Sequence, residues 1–448
     1  MTVGNPTAKI VGFALPLILG YILQQVYLIV DAAIVGRWIG IGALAAVGAS
    51  SSIMFLIIGF CNGTCAGFAI PVAQTFGAKD YSKMRLYVAN AIRVAIVIAI
   101  ILTILTCILC KRLLLMVNTP DEILPEAYTF LFLQFLSIPF TMAYNLFAGF
   151  IRALGNSQQP FYFLIAASLL NVALDVIFIL GMGMGVEGAG WATLLSQGLA
   201  ALMCGKFIRK RLQILIPNGE ERNYRDGIVG HLLQSGIPMG LQFSITGIGI
   251  IMLQSANNAL GTVYVAAFTA SMRVKYLFTC VFENIGVAMA TYCGQNVGAQ
   301  TITRIKEGIF AAVKVTMVYF VLTIAIIYPF ADEMMTLFVN VNHVSDAFSP
   351  TEIVDNAALF MRIANYFYPV LGLLTILRYS IQGMGYSNLS MLSGVMEMIA
   401  RCSVSLWLVP AFHFLGVCYG DPVAWVAADL FLVPAFIYVF KKVKRKVG

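Results

Sequence analysis

Charge is what this chain has least of. Only 11% of its 448 residues are Asp, Glu, Lys or Arg, against about 25% in a soluble domain. With 60% of residues hydrophobic, the chain cannot cover a water-facing surface, which excludes an ordinary soluble enzyme or binding module. Histidine is scarcer still. His231, His343 and His413 are the only three, each near the end of an apolar run, and this speaks against a histidine proton relay through the interior. No G-x-x-x-x-G-K-[ST] phosphate loop occurs, so the chain does not hydrolyse ATP by itself. No nucleophile, base and acid stand at recognisable spacing, and an enzyme is not expected. The nine cysteines lie in or beside apolar runs. Cys107 and Cys110 form a C-x-x-C without a second pair, and Cys61 and Cys65 sit one helical turn apart, so all read as packing thiols rather than a metal site. Low-complexity segments are also missing.

What is present in abundance is long apolar sequence. Twelve runs occur at about 11–35, 44–70, 86–110, 127–150, 160–181, 186–207, 232–257, 262–290, 308–330, 356–378, 387–411 and 422–440, each close to the ~20 residues that cross a bilayer as a helix. They are too long for barrel strands, which need about ten alternating residues. The expected fold is therefore an all-α polytopic membrane protein with the lipid bilayer as its main partner. The first run is too long and too rich in Gln and Tyr for a cleavable signal peptide and reads as the first span.

The net charge of +8 follows the loops and is no sign of nucleic-acid binding. With an inner N-terminus, inner segments hold Lys9, Lys79, Lys83, Arg85, Arg152, Arg209, Lys210, Arg211, Arg222, Arg225, Arg304, Lys306, Lys441, Lys442, Lys444, Arg445 and Lys446. That makes 17 against three outside, Arg37, Lys111 and Arg112. This bias puts both termini in the cytoplasm. The outer loop 331–352 carries Asp332, Glu333, Asp346 and Glu352 without a basic residue.

The chain is also written twice. Leu15-Pro16 is echoed by Ile237-Pro238, Ala45-Ala46-Val47-Gly48-Ala49-Ser50 by Ala266-Ala267-Phe268-Thr269-Ala270-Ser271, and Gln74-Thr75-Phe76-Gly77-Ala78 by Gln295-Asn296-Val297-Gly298-Ala299. Ile151-Arg152-Ala153-Leu154-Gly155 answers Ile381-Gln382-Gly383-Met384-Gly385. Duplicated sets of apolar spans mark secondary transporters. Six spans per half enter the membrane in the same sense, so two six-helix lobes related by a pseudo-two-fold along the membrane normal are expected. The lobes are read as 1–215 and 216–448, joined by a mobile cytoplasmic linker at about 209–229. Pro16 and Pro238 lie in the first span of each half, and Pro16 is read as a hinge, with a fixed kink as the plain alternative.

Acid inside apolar spans is the strongest functional signal, because an ionisable group in a bilayer is costly. Asp31 lies about 7 Å below the outer end of its span, Asp175 about 9 Å and Thr193 about 10 Å. Asn171 is one turn before Asp175 on the same face, and Tyr27 one turn before Asp31. Tyr27, Asp31, Asp175 and Thr193, from three helices, thus share one level with Asn171 one turn away, and such a set can hold a proton or ligate Na⁺ through oxygen. The plain alternative is a structural polar knot in which Asp31 pairs with Arg37 and Asp175 accepts from Asn171. In the second half Glu397 and Arg401 have i,i+4 spacing suited to an internal ion pair. Glu283 lies below Arg273 and Lys275, and either neutralises one of them or faces a cavity. Asp429 is a candidate second cation site. The remaining lining is rich in Met, Phe and Tyr, which suits varied organic cations and equally suits ordinary membrane packing.

The run Phe13-Ala14-Leu15-Pro16-Leu17-Ile18-Leu19-Gly20, with Val30-Asp31, Ile34-Val35-Gly36-Arg37, Ala43-Leu44-Ala45-Ala46-Val47-Gly48 and Gln74-Thr75-Phe76-Gly77-Ala78, resembles the multidrug and toxic compound extrusion (MATE) family. Gly294-Gln295-Asn296-Val297-Gly298-Ala299 and Ile381-Gln382-Gly383-Met384-Gly385 resemble that family's second-half signatures. The resemblance implies antiport of organic cations against H⁺ or Na⁺, with no other cofactor. It places the family's first-helix acid and tyrosine on Asp31 and Tyr27, its fifth-helix pair on Asn171 and Asp175, and its sixth-helix threonine on Thr193. This set resembles the damage-inducible (DinF-like) bacterial and archaeal branch, whose first-helix bend falls on Pro16. The acid that another bacterial branch carries early in span seven is missing from Gln242-Phe243-Ser244-Ile245, and Glu283 and Asp429 receive no family role. Two other readings remain. One is a lipid-linked glycan flippase using Arg273, Lys275, Lys314, Arg362 and Arg401. The other is a narrow-substrate metabolite exporter of the same superfamily. A monomer in a prokaryotic plasma membrane is expected.

Overall fold

The computed structural model describes residues 1–117, 119–337 and 350–447. His343 and Asp346 of the expected outer loop lie outside the described residues. Every regular element among the described residues is helical. That is what a bilayer imposes, since a helix satisfies its backbone groups within one segment.

Among the described residues, and with each of two bent helix pairs counted as one, twelve spans follow one another in the expected order. Those of the first half are α1 (Pro6–Ile34), α2 (Ile41–Gly77), α3 (Tyr81–Met116), α4 (Leu124–Leu136 with Ile138–Ala153), α5 (Gln158–Asp175) and α6 (Val186–Arg211). The second half holds α7 (Asp226–Asn258), α8 (Thr262–Gly298), α9 (Ile302–Thr336), α10 (Pro350–Tyr366 with Tyr368–Gly383), α11 (Ser387–Ser403) and α12 (Gly420–Val447). Ten are single helices long and apolar enough to cross, while α4 and α10 are pairs bent by 41° and 53°. These two breaks were not foreseen. Pro139 and Pro369 stand at the second position of each following piece, where a missing N–H is tolerated and a new helix can begin. Asp332 and Glu333 belong to the end of α9, and Glu352 to the first turn of α10, rather than to a loop.

The duplication extends to single backbone angles. Gly40 and Gly261, which open α2 and α8, have φ of 131° and 118°. Lys79 and Gln300, just past the ends of the same two helices, have φ of 59° and 57°, and Gly155 and Gly385 have 91° and 90°. Repeated sequence thus folds into repeated turns, glycine serving where φ is positive.

Two compact units are found, residues 15–244 and residues 1–14 with 245–448. One boundary falls within α1 beside Pro16, through which the helix continues unbroken, and the other falls within α7. In the 15–244 unit, Phe68, Leu131, Phe135, Met142 and Phe150 anchor an apolar core drawn from α2 and α4. Along one edge α2 and the start of α7 are in backbone contact. A Cβ on Gly67 would stand 2.6 Å from Ser235 O, and one on Gly63 2.5 Å from Met239 O, so only glycine fits. In the other unit, Phe282 packs edge-on against Tyr319 and Tyr368 with ring centroids 5.2 and 5.4 Å apart.

The linker is docked rather than mobile. Asn218 and Glu221 close a capping box around a short 3-10 turn, Gly219–Arg222. The Arg85 fork then holds both Glu221 oxygens, each at 2.6 Å. Asn90 Nδ2 donates to Asn223 O at 3.2 Å. A bidentate guanidinium–carboxylate pair is well directed, which is why a polar stretch that reads as loose in sequence is held in place.

Candidate functional site

The acids of the first half meet inside the 15–244 unit. Asp31 sits near the end of α1 and Asp175 ends α5. Each helix then loosens into a π-helical turn, Val35–Ile39 after α1 and Val176–Gly181 after α5, and the two turns pack on one another. Single π turns widen the spacing of a helix and recur at functional sites. The two carboxyl groups lie within electrostatic reach of each other. Tyr27 lies within electrostatic reach of both acids.

The remaining contacts are conspicuous by what they leave open. Asp175 is 0% and Asn171 4% exposed. Both oxygens of Asp175, Oδ1 of Asp31 and Oδ1 of Asn171 are buried without a hydrogen-bond partner among the described residues. Thr193 Oγ1 donates to Ala189 O at 3.0 Å, which leaves its lone pairs free to accept. A buried polar atom without a partner costs about 1–3 kcal/mol, and two facing carboxylates cost more unless a proton or cation lies between them. The polar-knot alternative is not realised: Arg37 is exposed and stacks on Trp38, and no donor from Asn171 reaches Asp175. Ile34, Val35, Ile179, Val186 and Ala189 form an apolar cluster beside the acids, towards the same ends of their helices. A set of buried, unfilled oxygen acceptors under an apolar cap suits a hard cation such as Na⁺ or a shared proton.

The second half is built the opposite way. Lys275 of α8 pairs with Asp421 of α12. Asp421 also accepts from Arg401 of α11 at 3.0 Å, and Arg401 donates to Glu397 at 3.2 Å. Glu397 is further paired with Arg378 of α10, whose Nε donates to Ser393 Oγ at 3.0 Å. Five charges from four helices are thereby closed into one chain, each at most 5% exposed. Glu283 accepts from Tyr379 Oη at 3.2 Å rather than neutralising Arg273 or Lys275. Asp429 is the exception, 8% exposed with both oxygens unpartnered, near the charge of Arg378. The basic residues proposed for a flippase are mostly committed or outward: Lys275 and Arg401 lie in the network, Arg362 pairs with Asp332 at 2.5 Å, and Arg273 and Lys314 are exposed.

Sequence reasoning overlooked Asp421 and Arg378. Each stood at the edge of a span as drawn, where a charge normally meets water. Their signal was the excess of buried basic residues left without acids.

The MatE family model matches this chain twice, at residues 16–177 and 238–407. The two matches begin on Pro16 and Pro238, the prolines that open the repeat. The chain belongs to the MatE family. It is therefore a multi-pass membrane transporter and not an enzyme. Among curated relatives it is 25% identical over 440 residues to the probable multidrug resistance protein YoeA of Bacillus subtilis, covering 96% of this chain and 93% of that one. It is 27% identical to the probable multidrug resistance protein YpnP of the same species, covering 91% and 87%. Its fold is that of solved MatE-type structures. One, described as the outward-facing conformation of a multidrug resistance MATE family transporter, superposes with a TM-score of 0.88 at 22% identity, covering 99% of this chain and 97% of that one. Another, a transporter from Pyrococcus furiosus described as having a binding pocket of reversed polarity and a different function, gives 0.87 at 21% identity, covering 97% of each chain.

Proposed function

We propose that this MatE transporter is a secondary multidrug exporter of organic cations that exchanges them for H⁺ or Na⁺ at Asp31 and Asp175. The observation that carries this reading is the pair of facing, buried carboxyl groups with unfilled oxygens. Asn171 and Thr193 complete the oxygen set for Na⁺, and Tyr27 lies beside it. Ion binding there removes the negative charge that attracts a cationic substrate. Ion and substrate then weaken each other's binding by the same factor. Release follows outward, with Pro16 as the point at which α1 bends. On this reading the protein works as a monomer in a prokaryotic plasma membrane, with both termini cytoplasmic. The relatives named for multidrug resistance support the substrate class.

Efflux of a fluorescent organic cation from proteoliposomes tests the proposal, under an imposed Na⁺ or pH gradient, for wild type and Asp31→Asn. Efflux that follows one gradient and vanishes in the folded variant names the coupling ion. Retained efflux in Asp31→Asn overturns the site. Absence of efflux under both gradients favours a flippase or a narrow-substrate exporter, as a fold neighbour described as functionally different illustrates. Against the flippase stands the pairing of Lys275, Arg362 and Arg401 with acids.

A further inference from the structure

The charges at one end of the 245–448 unit take no part in the proposed ion exchange. α12 finishes as Phe440-Lys441-Lys442-Val443-Lys444-Arg445-Lys446 and is still helical at Val447. α9 packs against it and carries Lys306 in its second turn. Lys306 Nζ lies 5.3 Å from the ring centroid of Phe440, which is buried. Lys444 follows Phe440 by one helical turn on the same face, so neighbouring helices bring their ammonium groups to one crease. Lys442 Nζ lies 5.3 and 5.6 Å from the rings of Tyr386 and Tyr438. An aromatic face attracts a cation without neutralising it. None of these basic side chains enters an ion pair among the described residues. Glu307, beside Lys306, is the one acid in the sequence of these two helix ends.

Beyond the charges both helices turn apolar faces outward. On α9, Phe310, Met317 and Val321 continue the face of Lys306 at helical spacing, and all three are exposed. On α12, exposed Leu430, Val433 and Ile437 lead up to Lys441 and Lys444. From Leu430 to Lys441 is about 16 Å of helix, roughly the depth of one leaflet of a bilayer. A leaflet-deep apolar crease that ends in unpaired cations has the outline of an anionic lipid.

The inner-side bias of basic residues is the plain explanation for cations at span ends. The repeat separates that bias from a binding site. α6 closes the first half as α12 closes the second, and it too ends in basic residues, Arg209-Lys210-Arg211. There Glu220, Glu221 and Asp226 follow in the linker and the start of α7, and Glu221 is tied to Arg85. Either arrangement satisfies the bias. Only the second half gathers its cations on an apolar crease without acids to pair them.

We propose that the crease between α9 and α12 holds an anionic phospholipid, its phosphate among Lys306, Lys441 and Lys444 and its acyl chains along the exposed apolar faces. Basic pockets between membrane helices select acidic headgroups in this way. A zwitterionic headgroup brings a cation of its own, which these lysines repel. The site is independent of the transported substrate and of the coupling ion.

The test is thermal melting of the detergent-solubilised protein, titrated with phosphatidylglycerol, phosphatidylcholine or inorganic phosphate. Wild type is expected to melt higher with phosphatidylglycerol alone, as binding to the folded state requires. In the double variant Lys306→Gln, Lys444→Gln the half-saturating lipid concentration should rise roughly thirtyfold. The double variant Lys210→Gln, Arg211→Gln, at the end of α6, should respond as wild type does. All four side chains are exposed, and lipid-free melting temperatures check that both variants fold. The site is overturned if phosphatidylglycerol leaves wild type unchanged, or if phosphatidylcholine or inorganic phosphate stabilises it equally. It is also overturned if the Lys306 and Lys444 variant keeps the wild-type response, or if the α6 variant loses it to the same extent.

Discussion

The two halves of this protein began as copies and keep the same turns, yet they treat buried charge in opposite ways. In the 15–244 unit, Asp31 and Asp175 face each other with open oxygens. In the 245–448 unit, Glu397 and Asp421 are tied to Arg378, Arg401 and Lys275. An acid left open stores binding capacity for an ion, whereas an acid enclosed by partners holds helices in register. Burial alone therefore does not distinguish the acids of the proposed ion site; what sets Asp31 and Asp175 apart from Glu397 and Asp421 is burial with unpartnered oxygens.

The sharpest way to break this comparison is to open the closed network. Asp421→Asn strands Lys275 and takes one of two acids from Arg401, and removing one partner of a buried pair costs about 3–5 kcal/mol. A marked fall in the melting temperature of detergent-solubilised protein is expected, whereas Asp175→Asn should not lower it. Equal destabilisation by both would erase the distinction. Next, Asp31→Asn and Asp175→Asn should each lower gradient-driven efflux by roughly a hundredfold or more, beyond the 10–100-fold typical of supporting groups. Efflux traces at matched protein content decide this. A smaller effect is expected from Asn171→Leu, which removes one unfilled oxygen. The ion concentration for half-maximal efflux should rise about tenfold with little change in the maximal rate, and an unchanged value would remove Asn171 from the site.

The smallest effect concerns the linker. The Arg85 fork pulls the Glu221 carboxyl down from its usual 4.5 to about 2. A lowered value means that the stabilisation is complete above about 4.5 and is lost as pH falls towards about 2. Glu221→Gln should cost at most about 1 kcal/mol at neutral pH, as partly exposed pairs do. Linker protection from hydrogen exchange should fall in acid for wild type and stay flat for the variant. A flat wild-type profile would show that the latch contributes nothing.

Much of this was legible in the residues. Apolar runs gave twelve spans because bilayer thickness sets their length, and Asp31 and Asp175 stood out because an acid in such a run is costly. The bends in α4 and α10 were not legible, since a proline in an apolar run reads equally as a kink. The π turns have no sequence signature of their own. Asp421 and Arg378 were missed because the network depends on contacts between α8, α10, α11 and α12, which one-dimensional spacing does not contain. Within it, only the Glu397–Arg401 link lies inside a single helix and was readable as a spacing.

The matched bends carry a consequence for ancestry. Breaks after Leu136 and Tyr366, each followed by a proline at the second helical position, are too alike to have arisen separately. The single-length ancestor already had a broken fourth helix. The open acids and the ionic clasp are not shared by the copies, so at least one of them changed after the duplication, within a shape that both halves keep.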